Sequence, residues 1–389
     1  MKKILMYRWK AYNYLDIKEG FIKLGYQVDE IRQELESYDV DREFSERIAA
    51  LIRSNTYEFV FTVNYFALIS EVCEQNNILY VSWSCDNPLI SMYHNSVFNK
   101  CNLICVFDKT NYLEFKQMGV DNIRYLPLAV DASRISHIIN GASDLNAYEN
   151  DISFVGSLYE RNSYDRIEHS LPDYLRGYFD AIMNIQSDLY GAYIIDDALS
   201  PDILMQLEKY YRLDKSPGSF SSLSLIFKTT TLGFKIAQIA RKRALLTLSK
   251  TMPVSIYSNS DTSDLVNVAY KGSLDYWTEM PKVFYKSKIN LNLTIPNIKS
   301  GIPLRIWDIL GSGGFLLTNY QAELPLYFED GVHLVSFYSS EDMAEKADFY
   351  LKHEDSRKKI AQSGRDIVHK KHSYDVRMRE LLDMINEVK

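Results

Sequence analysis

Short apolar runs alternate with amphipathic stretches of about ten residues through the first third of the chain, the pattern of a parallel sheet joined by crossover helices. The runs 4–7, 27–31, 58–63, 78–82, 103–107 and 123–126 read as strands. Stretches 15–24, 42–53, 66–75 and 110–118 read as the helices between them, with Gly25 at a cap position that tolerates positive φ. The positively charged start, Lys2-Lys3, precedes an apolar run that stops at Arg8, too short for a signal segment, so it reads as a first strand. These elements predict a doubly wound α/β domain over residues 1–131.

The texture changes after Asp131. Residues 132–150 are polar and are expected to be a linker. Strand 152–155 then ends at Gly156-Ser157, as the first strand of a second Rossmann-like unit would. Residues 164–232 read as a helical insertion with Pro and Gly breaks. The rhythm resumes with helix 234–249, strands 254–257, 268–270 and 289–293, helix 303–310, strand 315–318 and three terminal helices. The second domain is expected over 151–375, and 376–389 as a terminal helix able to pack back on the first domain.

At 389 residues the chain suits two domains of ordinary size. A hydrophobic content of 46% supports buried cores, and no window approaches the roughly 18 uninterrupted apolar residues of a membrane span. The net charge of -7 argues against a chain built to coat nucleic acid. Cys73, Cys85, Cys101 and Cys105 lack the spacing of a paired metal motif and read as reduced and structural, in a cytoplasmic protein. The 29 tyrosines suit carbohydrate contacts and aromatic packing equally.

The stretch from Ser300 to Gly314 carries the chemistry. Pro303 fits the first turn of a helix, and Ser300, Gly301 and Ile302 precede its positive end, where a diphosphate binds well. Arg305 and Asp308 are three apart and share a face. A guanidinium suits phosphate and a carboxylate suits ribose hydroxyls, although an intrahelical pair on a solvated face has the same spacing. Gly156 and Ser157 permit close approach of a phosphate, with Arg161 to neutralise it; an ordinary turn has the same composition. Lys288 and Lys299 are further cations for the diphosphate, or solvated edge charges.

In the first domain Asp86, in the run 82–88 at the end of a strand, is placed to orient an acceptor hydroxyl or act as a general base, and His94 follows it, either beside it in the site or as a satisfied structural residue. Asp86-Asn87-Pro88 also has the composition of a plain turn. Asp39-Val40-Asp41 fits a metal-binding Asp-x-Asp pattern but stands just before a helix, so it reads as a cap, and no metal is expected. Arg241-Lys242-Arg243 reads as a solvated helix face or a peripheral contact with anionic lipid or phosphate.

From Lys288 through 301–305, 313–318, 328–331 and 363–365 to 374–377 the chain resembles the C-terminal half of the group 1 glycosyltransferases. More narrowly it is similar to their spore-maturation-protein (CgeB-like) branch, and the likeness extends thinly to 154–158 and 126–131. The resemblance implies the GT-B fold: two Rossmann-like domains facing across a cleft, acceptor with the first and nucleotide-sugar donor with the second. It implies a Glu-(seven residues)-Glu element whose second glutamate meets the donor ribose and whose first lies near the donor sugar. By position these fall on Asp308, which keeps the charge with a shorter reach, and on Ser300, which has no carboxylate.

Together these readings lead to an expected bacterial, metal-independent glycosyltransferase without a cofactor. It moves a sugar from a nucleoside diphosphate to a hydroxyl on a glycan, a protein or a small acceptor. Asp86, His94 and Arg305 are its expected catalytic residues. A nucleotide-sugar epimerase and a non-catalytic nucleotide-sugar-binding subunit are the rivals.

Overall fold

Lys3–Tyr7 (β1) presents Ile4, Leu5 and Met6 to both faces of the strand, and all three are buried. Such a strand belongs inside a parallel sheet covered by helices on both sides. That is its position in the computed structural model, which describes residues 2–38 and 40–388. The strand lies between Gln27–Ile31 (β2) and Val60–Val63 (β3), and Tyr80–Trp83 (β4), Asn102–Val106 (β5) and Ile123–Tyr125 (β6) extend the sheet. The order is β2-β1-β3-β4-β5-β6, parallel throughout.

A second parallel sheet is built from Asn150–Val155 (β7), Val254–Tyr257 (β8), Val268–Tyr270 (β9), Ser287–Asn292 (β10), Leu316–Asn319 (β11) and Val335–Phe337 (β12). Its order is β12-β11-β10-β7-β8-β9. The chain runs outward from β7 through β9, then returns to the other side of β7 and runs outward again through β12. The reversal opens a crevice beyond the carboxyl ends of β7 and β10, where ligands of open α/β sheets bind. Ile152, Phe154, Ile289, Leu291 and Leu317 fill the core beneath it with Leu245 and Leu248.

The chain divides into two compact units. The first holds the residues up to Ala129, with Asp214–Ser222 and the C-terminal helix Tyr374–Val388. The second holds Val130–Leu213 and Leu223–Ser373. The expected linker 132–150 is therefore corrected. The Asp131 side chain accepts from the Arg134 N–H and starts the helix Ala132–Gly141, whose Ile135 and Ile139 are buried. That helix packs on Met280–Lys286 within the second unit. Its polar outer face concealed a helical period. The C-terminal helix packs on Tyr14–Lys23 of the first unit, where a Cβ on Gly20 would meet Met378 at 2.7 Å.

The insertion has a core of its own, including Leu175, Phe179, Ile203, Leu207 and Phe227. It ends in a helical run in which a π-helical segment, Phe227–Gly233, leads into Phe234–Leu248. Asp41 caps the helix Arg42–Ser54, accepting from the Phe44 N–H at 3.0 Å. Asp39, the other aspartate of that motif, lies outside the described residues.

Candidate functional site

The crevice of the second sheet gathers the residues after β7 and β10. Gly156 and Ser157 follow β7, and Arg161 in the same loop is exposed, with no ion pair or hydrogen bond among the described residues. Beyond β10 the chain runs through 293–303 into the helix Leu304–Gly311. Side chains at the strand ends fix this loop. Asn319 Oδ1 accepts from the Thr294 N–H at 2.7 Å, and Asn292 Nδ2 donates to Thr294 Oγ1 at 3.1 Å. Asn297 Nδ2 donates to the Thr229 carbonyl of the π-helical segment at 3.0 Å. Gly233 is required there, since a Cβ would stand 2.0 Å from Asn297 Oδ1.

Pro303 is the N-cap residue rather than the first helical residue, and no side chain caps this helix. Its positive end is thus built from backbone N–H groups, a setting that favours an anion. Gly301 and Ile302 are buried, and the Ile302 carbonyl accepts from Trp307 Nε1 at 3.3 Å. Ser300 is buried as well. Its hydroxyl donates to Glu323 Oε1 at 2.7 Å, and the Glu323 N–H donates back to the Ser300 carbonyl at 3.1 Å. A carboxylate therefore does stand beside Ser300, supplied from after β11. Sequence spacing offered no sign of it.

Arg305 lies in the first turn, with its guanidinium against the Met280 sulfur and 5.4 Å from the centre of the Phe284 ring. Asp308 is buried one turn on and accepts from the Tyr276 hydroxyl at 3.2 Å, so its carboxylate does not lie on a solvated face. Gly313 closes the helix at φ 77°, and a Cβ on Gly314 would stand 2.5 Å from the Phe284 carbonyl oxygen.

Two expected donor-site cations have carboxylate partners of their own. Lys288 is the second residue of β10, at the amino end of the strand, and pairs with Asp151 at 2.6 Å. It borders a broad groove of about 980 Å³ with Lys286, Arg357 and Lys358, at the opposite end of the sheet from the crevice. Lys299 pairs with Asp196 at 2.5 Å and lies over the Tyr193 ring, but Asp196 also pairs with Lys228, so its charge is only partly offset.

Arg241 is the residue that sequence reading misplaced. Lys242 pairs with Asp264 and Arg243 donates to Asn184, as surface cations do. Arg241 instead points into the crevice, where Nη1 donates to the Ser157 carbonyl at 2.6 Å and Nη2 to the Leu293 carbonyl at 2.8 Å.

In the first unit, Asn64 follows β3 at φ 63° and holds the loop after β4. Its Oδ1 accepts from the Cys85 N–H at 2.8 Å, and its Nδ2 donates to Asp86 Oδ2 at 2.7 Å. Asp86 is exposed at the surface, yet the protein around its carboxyl desolvates it and raises its pKa, the Asn64 hydrogen bond opposing this in part. His94 has both ring nitrogens engaged. Nδ1 accepts from the Ser96 N–H at 3.1 Å, so Nε2 carries the proton and donates to the Pro217 carbonyl at 3.0 Å. A Cβ on Gly218 would lie 2.4 Å from that nitrogen. This is the setting of an anchor for segment 214–222, with no ring lone pair left to offer a substrate.

Cys73 and Cys105 are buried, and the four cysteines are free thiols; burial pushes the Cys105 thiol up to about 12. Among the described residues no group of three or more His, Cys, Asp or Glu side chains is placed to hold a metal ion, and no helix is long and apolar enough to cross a membrane.

The two doubly wound sheets are those of the GT-B fold. Sucrose-phosphate synthase from Thermosynechococcus elongatus superposes with a TM-score of 0.60 at 9% identity, over 100% of this chain and 99% of that one. Anabaena HepE, in complex with UDP and glucose, gives 0.59 at 9% identity over 100% of both chains. T4 phage β-glucosyltransferase gives 0.51 at 12% identity, over 100% of this chain and 99% of that one. Residues 239–383 match the family described as glycosyl transferase-like. No curated protein matches the sequence. The chain is thus glycosyltransferase-like both in its fold and in the sequence of much of its second unit.

Proposed function

We propose that the protein is a metal-independent glycosyltransferase of group 1, in the spore-maturation-protein branch, that moves a sugar from a nucleoside diphosphate to a hydroxyl acceptor. The observation that carries the reading is the helix Leu304–Gly311. It starts beside the crevice of a doubly wound sheet, its N-terminus has no side-chain cap, and Arg305 occupies its first turn. The structures of HepE with UDP and glucose lend support through the shared fold.

As the bond from the anomeric carbon to the diphosphate breaks, negative charge grows on the leaving group. Backbone N–H groups after Gly301 and Ile302, with Arg305 and Arg161, stabilise it without a metal. Gly156 and Ser157 leave room for phosphate to approach the backbone. Asp308 takes the ribose hydroxyls and Tyr276 orients it. Asp86 of the first unit handles the acceptor. In an inverting reaction it removes the proton of the attacking hydroxyl; in a retaining one it orients that hydroxyl and the donor phosphate takes the proton.

Incubation with a panel of nucleotide sugars tests this. A glycosyltransferase releases nucleoside diphosphate as the sugar passes to acceptor or water. Conversion of the donor to its epimer, without diphosphate release, would replace this reading with an epimerase.

A further inference from the structure

Arg241 holds a positive charge that the protein does not balance. Its two strong partners are neutral carbonyls, and among the described residues no carboxylate pairs with it. The guanidinium lies over the Tyr159 ring at 4.8 Å and the Phe154 ring at 5.4 Å. Tyr159 stacks on Phe234 at 5.1 Å and stands at φ 56°, a strained conformation for a tyrosine. Desolvation depresses the Arg241 pKa; the Tyr159 side chain opposes this in part, and the nearby Arg305 guanidinium adds to it. A guanidinium held beside another cation and partly stripped of water is costly unless an anion joins it.

The carbonyls that hold Arg241 belong to the residues just beyond the ends of the two central strands, β7 and β10. They fix the plane of the fork through two of its N–H groups, and the Tyr159 side chain is a further partner. A planar guanidinium with donors to spare matches phosphate oxygens.

We propose that Arg241 is a principal diphosphate-binding residue of the donor site, holding the phosphates together with Arg305. The sequence is built for this. Arg241 comes from the helix Phe234–Leu248, and the preceding π-helical segment is tied to the loop 293–303 through Asn297. Helix, loop and guanidinium are thus set as one piece. The inference rests on the donor-site reading above.

The test is calorimetric titration of the full chain with UDP, GDP, ADP and inorganic pyrophosphate, on the wild type, R241K, R241Q and R241A. A charged hydrogen bond to phosphate corresponds to about tenfold or more in affinity. R241Q and R241A are expected to weaken the best nucleotide by at least about tenfold and pyrophosphate by a similar factor. R241K, which keeps the charge and loses the fork, should fall between, and loss of the charge should flatten the salt dependence of binding. R241Q retains a donor for the Ser157 carbonyl, so it remains informative if R241A fails to fold. A wild type that binds nucleotide, with R241Q and R241A binding within about threefold of it and with the same salt dependence, overturns the role of Arg241 alone. A wild type that binds none of the four overturns the donor site, and this inference with it.

Discussion

The Ser300 hydroxyl donates to the Glu323 carboxylate at 2.7 Å, and both residues are buried beside the start of the helix Leu304–Gly311. The resemblance implies a glutamate where Ser300 stands, so a carboxylate is present in the same neighbourhood but comes from a different strand end. Glu323→Ala removes that acceptor from a buried hydroxyl and should cost about 1–3 kcal/mol in urea unfolding. Ser300→Glu would put a second carboxylate against the first. It should destabilise by about 3 kcal/mol or more at neutral pH and recover part of the loss in acid, as one of the pair takes a proton.

Glycine placement gives a matched pair of stability predictions. A Cβ at Gly314 meets the Phe284 carbonyl oxygen at 2.5 Å and Asn290 Nδ2 at 2.6 Å, both in the core of the second unit. Gly314→Ala should therefore cost about 1–3 kcal/mol or more. Gly177 lies inside the helix Asp173–Gln186, with nothing within 4 Å of the added carbon. Gly177→Ala should stabilise by about 0.5–1 kcal/mol through helix propensity. Thermal unfolding of both variants checks the pair.

The raised pKa of Asp86 predicts a pH dependence. If its carboxylate is the base, activity should climb as pH rises through a value above the ordinary carboxylate range, and Asp86→Asn should abolish that acid limb of kcat/KM. The folded chain holds this proton more tightly than the unfolded one. The shift therefore disfavours folding above the folded-state pKa and ceases to matter below the ordinary value. Asp86→Asn should then be no less stable than the wild type at neutral pH while losing turnover. An unchanged acid limb would remove Asp86 from the base role.

Lys288 and Arg161 separate the two ends of the sheet. Lys288→Ala should leave nucleotide affinity within about twofold, because it removes only an exposed pair with Asp151 at the amino end of β10. Arg161→Ala should weaken binding several-fold and reduce its salt dependence. Titration of both variants with the same nucleotide distinguishes them.

The second sheet was legible because its strands are short apolar runs bounded by Gly, Asn and Ser, and Gly156-Ser157 marked the end of its first strand. The helix start at 300–305 was legible from Pro303. Lys288 was readable too: it precedes the apolar residues of β10, and parallel sheets bind ligands at the other end. Arg241 and Glu323 were not. Arg241 meets Ser157 and Leu293 across 84 and 52 residues of sequence, and Glu323 meets Ser300 across 23. Such contacts are set by strand order, which local spacing does not encode. The helix Ala132–Gly141 was missed because its polar surface outweighed a period of only two buried isoleucines, Ile135 and Ile139.

The most direct measurement is nucleoside diphosphate affinity in the wild type, Arg305→Ala and Asp308→Ala, beside the rate of diphosphate release from the matching nucleotide sugar. The predicted result is binding by the wild type, at least about tenfold weaker binding in Arg305→Ala, weaker binding in Asp308→Ala, and slower release in both. Unchanged affinity and release in both variants would contradict a donor site at the start of the helix Leu304–Gly311.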